Sequence, residues 1–268
     1  VTDFSGAPLR TVEVLGRTVA WSVTGAGPEP VVMVHGFGGD HLGWLLVQPQ
    51  LASVATTHAI DLPGHGASSK DVGPGDPAFF AEVVLGFMDA LGLASAHLVG
   101  HSMGGGVCIA AALARPDRIR SLTLLAPATL GSHANVAFVE AFIALDRPEQ
   151  VRPLLAQVFA DPKIISRQIE DLVTAYKRTP GVTEALRTIA DALFRRDGTP
   201  KVTYRDRLGG LPMPVRLVWG EADRIVPVEA ADALPTNVVV TRMPAIGHAP
   251  HIEAPAAVTR AVRSAMGM

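Results

Sequence analysis

Two hydrophobic patterns alternate along the chain. Residues 11–23, TVEVLGRTVAWSV, interleave apolar and polar positions around Leu15, Gly16 and Arg17. That period of two predicts a β-hairpin over residues 11–24, with Gly16 supplying the turn. Beyond it the apolar residues gather into short runs at 31–34, 55–60, 96–99, 121–125, 215–219 and 238–241. Such runs fit strands buried on both faces of a parallel sheet. Between them lie stretches of helical period at about 42–53, 78–92, 103–115, 228–233 and 253–266. Strand alternating with helix implies right-handed crossovers and a mostly parallel, doubly wound α/β sheet. With the hairpin, it has about eight strands.

One long interval breaks this rhythm. Residues 126–211 carry no strand pattern, only helical pieces at 135–145, 148–159, 163–177 and 182–194. This predicts a single structural domain, with core residues 1–125 and 212–268 and a helical cap inserted at 126–211. Phe138, Phe142 and Tyr176, with Phe159 and Phe194, are the cap residues expected to line a substrate pocket or to pack the cap onto the core.

Composition narrows the classes. Apolar residues make up 48% of the 268 and charged residues 18%, enough to bury a large core and too little charge for disorder. Lys and Arg number 23 against 25 Asp and Glu, without a long basic run, so no nucleic-acid partner is expected. No apolar stretch approaches the roughly 18 residues of a membrane span, and residues 1–10 lack the basic-then-apolar order of a leader. The single cysteine, Cys108, sits in the apolar run VCIAA, where it reads as a buried filler. One cysteine forms no internal disulfide and argues against a zinc cluster, so a reducing, cytoplasmic setting without metal or other cofactor is expected.

Four short segments carry chemistry. Gly100-His101-Ser102-Met103-Gly104 is G-x-S-x-G placed directly after a predicted strand and before a predicted helix. On that tight turn a serine takes strained backbone angles and stands above the sheet at the positive end of a helix dipole. An oxyanion formed there needs two donors. One is the N–H of Met103, the residue after the serine. The second is expected from the N–H of Phe37 in His35-Gly36-Phe37-Gly38-Gly39, the glycine-rich loop after the third strand, whose spacing matches neither common phosphate-binding pattern.

A base must take the serine proton, and histidine suits neutral pH. Of nine histidines, His248 follows the last strand and precedes the final helix, at the carboxyl end where such sheets gather their site loops. His251 is its rival, but a place at the start of the helix suits capping or packing. His101 neighbours Ser102 and is expected to point elsewhere. The acid that orients the base is assigned to Asp223, after the next-to-last strand, over Glu221, which follows the strand end too closely.

With these residues in place the chain resembles the α/β-hydrolase superfamily over nearly its whole length. HGFGG, DLPGHGAS at 61–68, GHSMGG, GEADRIVP and GHAPHIEAP occur in that family's order, and so does the sequence Ser, Asp, His. In DLPGHGAS, Asp61 and Ser68 are expected to fix turns. Cap segments Phe159-Ala160-Asp161-Pro162 and Tyr176-Lys177-Arg178, followed by Gly181-Val182, are similar to the hydrolase-like C-terminal domain of the acetoin dehydrogenase dihydrolipoamide acetyltransferase component. That resemblance implies acyl transfer, although no lipoyl module lies within the 268 residues.

Three functions follow as expectations. The first is hydrolysis of a carboxylic ester or related small-molecule acyl substrate through an acyl-enzyme on Ser102. The second keeps the triad but cleaves a carbon–carbon bond in a dienone acid, or transfers the acyl group, with Arg178 or Arg187 binding a carboxylate. The third is a binding protein with a relic triad.

Overall fold

The computed structural model describes residues 9–268; the leader expectation rests mainly on residues 1–8, which lie outside the described residues. Leu15 and Gly16, at φ 50° and 72°, form the two-residue turn that folds β1 (Arg10–Val14) back onto β2 (Arg17–Thr24). Two consecutive positive φ values give a turn whose twist matches that of paired strands. β2 then runs antiparallel to β4 (Ala55–Ile60), and β3 (Glu29–Val34), β5 (Ala96–His101), β6 (Ile119–Leu125), β7 (Val215–Gly220) and β8 (Val238–Met243) complete a parallel array with β4. The eight-stranded order is β1-β2-β4-β3-β5-β6-β7-β8.

The apolar runs have a direct cause. Along β3, Val32 and Val34 pack into one hydrophobic core while Val31 and Met33 pack into another. The first contains Phe80 and Phe87 of α2 (Pro77–Ala90) and Ile109 of α3 (Met103–Ala114). The second contains Trp44, Leu51 of α1 (Gln48–Leu51), and Val258 and Val262 of α9 (Pro255–Ala265). Both faces of each central strand are covered, so most positions are apolar, and buried polar ones such as Thr57, His97 and Ser121 are hydrogen-bonded.

Between β6 and β7 the described chain is helical: α4 (Val136–Ala144), α5 (Val151–Leu155), α6 (Arg167–Lys177) and α7 (Val182–Leu193). A lone bridge joins Phe194 to Pro200. Asn135 and Ser166 start α4 and α6 by accepting the N–H groups of Phe138 and Ile169.

Three expected helices are shorter than their periodicity suggests. Residues 42–53 divide into a 3₁₀ turn, His41–Trp44, and the single turn α1, whose Pro49 cannot continue a preceding helix. Residues 148–159 form a 3₁₀ turn, Pro148–Gln150, and α5. At 228–233 only the 3₁₀ turn Val228–Ala231 forms, because Ala233 takes φ 48° and Pro235 follows. The last stretch, 253–266, divides into α8 (Pro250–Glu253) and α9 at Pro255.

The sheet order positions the site. From β3 the chain crosses to β4 on one side, whereas β5 and β6 lie on the other. Loops leaving β3 and β5 therefore diverge and open a crevice at their carboxyl ends.

Candidate active site

Ser102 stands at the mouth of that crevice with φ 52° and ψ −114°, backbone angles few side-chain-bearing residues adopt. Its neighbours show why the turn can exist. A Cβ on Gly104 would lie 2.3 Å from the Val34 carbonyl oxygen, and one on Gly100 would lie 2.4 Å from that of Gly104 and 2.7 Å from Cys108 Sγ. Strand and helix approach too closely for any side chain at those two positions. The turn is fastened where the Ser102 N–H donates to the Leu125 carbonyl at 2.8 Å and its own carbonyl accepts from Gly105 and Ala128. Cys108 is buried beneath it, and burial pushes its thiol well up, as suits an inert filler.

His248 and Asp223 come together as a pair. Nδ1 of His248 donates to Asp223 Oδ2 at 2.7 Å, and the Asp223 side chain is fully buried. Asp223 Oδ1 accepts the N–H groups of Ile225 and Val226 at 2.8 and 2.9 Å, which fixes the carboxylate plane. Because Nδ1 is committed to the carboxylate, the neutral ring presents Nε2 as an acceptor. Glu221 is exposed, its backbone N–H spent on Met243, and makes no contact with the imidazole.

Ser102 and His248 line one cavity of about 260 Å³. Ser102 Oγ has no hydrogen-bond partner among the described residues, an open geometry that side chains of this kind close when substrate enters. The N–H of Phe37 meets no acceptor among the described residues, and Met103 begins α3, so its N–H lies outside the intrahelical ladder. Both residues line the same cavity.

Phe138 and Phe142 of α4 and Tyr176 of α6 line it, with Phe159 and Phe194. Phe142 touches the loop after β3: a Cβ on Gly38 would lie 2.4 Å from its ring. Tyr176 donates its hydroxyl to the Gly64 carbonyl at 3.1 Å and stacks on His65. Arg178 does not line the cavity, and Arg187 is spent at the surface on Glu140.

His101 is committed elsewhere than to Ser102. Its ring lies 4.8 Å from that of His248, and its Nε2 donates to the His248 backbone carbonyl at 2.8 Å, so it braces the base. Burial, with His251 and His248 alongside, holds its pKa well below the usual value and keeps it neutral. His251 packs between Trp44 and His101, and burial pulls its pKa down to about 3. Asp61 does fix a turn: it accepts from Ala67 N–H and from the backbone and Nδ1 of His41, while Ser68 Oγ bonds the Asp61 carbonyl and Ala20 N–H.

Sequence reasoning missed two ties between the histidine loop and the insertion. His248 N–H donates to the Val158 carbonyl at 2.7 Å. Glu253 bridges the same elements, accepting Gly247 N–H on Oε1 at 2.9 Å and Ala160 N–H on Oε2 at 2.8 Å. Burial raises its pKa despite those N–H groups. The spacing GHAPHIE held the only signal, an acid five residues beyond the histidine with no evident duty. Glu253→Gln turns an amide NH₂ toward one of two N–H donors and is expected to cost about 1–2 kcal/mol of stability. It should also lower kcat about tenfold through a loosened His248 loop; thermal melts with steady-state kinetics on an ester check both. Unchanged kcat would show that the loop holds without the clamp.

No group of three His, Cys, Asp or Glu among the described residues could hold a metal ion, and no helix is long and apolar enough to cross a membrane.

Comparison with known proteins gives the family. A family model described as alpha/beta hydrolase fold matches residues 29–255. The dihydrolipoyllysine-residue acetyltransferase component of the acetoin cleaving system of Pseudomonas putida is 40% identical over 250 residues, covering 93% of this chain. This chain spans 66% of that relative's length. A 2-hydroxy-6-oxononadienedioate/2-hydroxy-6-oxononatrienedioate hydrolase of Paraburkholderia phymatum is 32% identical over 251 residues, covering 85% of this chain and 84% of its own. Among solved structures, a membrane phospholipase A superposes with a TM-score of 0.82 at 25% identity, over 97% of this chain and 86% of its own. A meta-cleavage product hydrolase of Pseudomonas fluorescens reaches 0.86 at 21% identity, over 96% and 97%.

Proposed function

This chain belongs to the α/β-hydrolase family, and from that premise we propose that it is a serine hydrolase of a carboxylic ester or related acyl substrate. The observation that carries the reading is the constellation itself: a strained Ser102, an imidazole locked in one tautomer by Asp223, and two uncommitted N–H groups, all opening on one apolar cavity. In this reading Ser102 Oγ attacks the acyl carbon while His248 Nε2 takes its proton. The carbonyl oxygen becomes an oxyanion held by the N–H groups of Phe37 and Met103. His248 then protonates the leaving group, the acyl group remains on Ser102, and a water activated by the same imidazole releases the acid.

The relatives leave two neighbouring chemistries in view. Likeness to the acetoin-system component favours transfer of the acyl group to an acceptor other than water, and likeness to the dienedioate hydrolase favours carbon–carbon cleavage. Cleavage of an anionic dienone would want a cation in the pocket, and neither Arg178 nor Arg187 supplies one. We therefore place ester or thioester cleavage first. The cytoplasm remains its proposed setting, with a small acyl compound as its partner.

The test is labelling by a fluorophosphonate, followed by a screen of esters, thioesters and dienone acids of graded length. Stoichiometric labelling with ester turnover is the expected result; no labelling together with no turnover would sink the reading. In the same screen, Phe138→Ala, Phe142→Ala and Tyr176→Ala are expected to shift the preferred acyl length in at least one variant by removing cavity wall. Three unchanged profiles in folded, labelled variants would mean that these residues do not set specificity.

A further inference from the structure

Among the described residues that line the cavity there is no Lys or Arg, and Asp40 is the one carboxylate. It ends the same loop whose Phe37 lines the cavity. Asp40 Oδ1 accepts the Leu42 N–H at 2.9 Å, whereas its second oxygen takes no hydrogen bond or ion pair from a described residue. The remaining polar side chains at the wall are largely committed. Tyr176 donates to Gly64, His101 to His248, and His35 bonds the Gly36 carbonyl and the Leu62 N–H through its two nitrogens.

We propose that Asp40 makes this cavity select uncharged acyl chains and reject anionic ones. The proposal rests on the acyl-hydrolase reading above and names its substrate class. An acyl chain ending in a carboxylate would leave water for an apolar space that offers no cation, and would lie beside a like charge. An uncharged chain meets neither obstacle. The fitting substrates are esters or thioesters of uncharged acids, taken into a cavity of about 260 Å³.

The charge on Asp40 depends on pH. Burial first, then the neighbouring Asp61, raises its pKa to about 6, against the pull of His41 and the Leu42 N–H. The surrounding titratable groups are His41 on its own turn, His35 on its own loop, Asp61 after β4 and Tyr176 on α6. Asp61, against the upward pull of its burial, is held below the ordinary carboxylate value by His41. Burial lowers the pKa of His35 and raises that of the Tyr176 hydroxyl. Asp40 is therefore ionised above about pH 6 and neutral below it, so discrimination should weaken as the pH falls.

The experiment compares p-nitrophenyl octanoate with the p-nitrophenyl half-ester of octanedioic acid, which differ only in the terminal carboxylate. The quantity read is the ratio of their kcat/KM values, in which the common chemistry cancels. The wild type should favour the uncharged ester at least about a hundredfold. Asp40→Asn, which keeps an acceptor for Leu42, should raise the relative rate of the anionic ester about tenfold, and so should Asp40→Ser. Between about pH 7.5 and about 5.5, once the rates are corrected for the fraction of half-ester whose own carboxyl group is protonated, the wild-type ratio should move toward the variants' ratio while theirs stays flat, a response that a merely structural role for Asp40 would not give. A binding measurement needs no turnover: calorimetry of octanamide and the monoamide of octanedioic acid with Ser102→Ala should show preference for octanamide, narrowed in the Ser102→Ala, Asp40→Asn double variant. Equal ratios in wild type and both Asp40 variants, or calorimetry with no preference, would overturn the proposal. Loss of labelling and ester turnover with the binding preference intact would overturn the hydrolase reading and leave Asp40 as the selector.

Discussion

Ser102→Ala is expected to abolish fluorophosphonate labelling and to lower ester turnover by about five to six orders of magnitude, while leaving the protein folded. The loss is large because, among the described residues, no Ser, Thr or Cys other than Ser102 lines the cavity with His248. Cys108 is buried beneath the turn with its thiol pushed up by burial. Stability provides a second, independent reading of the same residue. At φ 52° and ψ −114° a side-chain-bearing residue stores about 1–3 kcal/mol of backbone strain. Alanine keeps the Cβ and the strain, so its melting temperature should stay close to that of the wild type. Glycine relieves the strain but loses about 0.5–1 kcal/mol to unfolded-chain entropy. Ser102→Gly should therefore be inactive yet more stable by about 0.5–2 kcal/mol, or a few degrees in Tm for a domain of this size. Intact-mass labelling of the Ala variant would remove Ser102 from its role. A Gly variant less stable than the Ala variant would show that the turn is not strained.

How far this site could be read from sequence follows from where its parts sit. Ser102, Phe37, Asp223 and His248 each occupy a short loop at the carboxyl end of a strand, so one-dimensional order already brought them to one edge of the sheet. The sheet was legible for a related reason: burial on both strand faces forces runs such as 31–34. Boundaries set by proline and by positive φ were harder to see, as at Pro49 and Ala233, since helical period continues through them.

The parts that could not be read are contacts across long sequence separations. His101 bonds a carbonyl 147 positions away, and Glu253 holds an N–H 93 positions away on the insertion. Nothing in the local sequence distinguishes such residues from ordinary neighbours of a motif. They have a common effect on the base: His101, Glu253 and the Val158 carbonyl all fix the loop that carries His248, so part of the insertion bears on positioning the imidazole as well as on lining the cavity.

Asp223→Asn is expected to lower kcat/KM about 10⁴-fold, although it changes one oxygen to nitrogen. The reason lies in which oxygen can be replaced. Oδ1 accepts two backbone N–H groups, from Ile225 and Val226, and an NH₂ group there would face two donors inside a buried site. The asparagine must therefore keep its carbonyl oxygen at that position, which turns its NH₂ toward His248 Nδ1. Two donors cannot share that contact, so Nδ1 must become the acceptor and the proton moves to Nε2. Nε2–H cannot take a proton from Ser102, and the base is lost with its geometry intact. Asp223→Ala imposes no tautomer, since it only removes the partner. Asparagine should therefore be at least as damaging as alanine, the reverse of what side-chain similarity suggests. Parallel kinetics of the two variants with Glu221→Gln, alongside ¹⁵N spectra of the histidine ring, decide the matter. An Asn variant with more than about a tenth of wild-type activity, or a Glu221→Gln variant more impaired than it, would show that Asp223 does not orient the base.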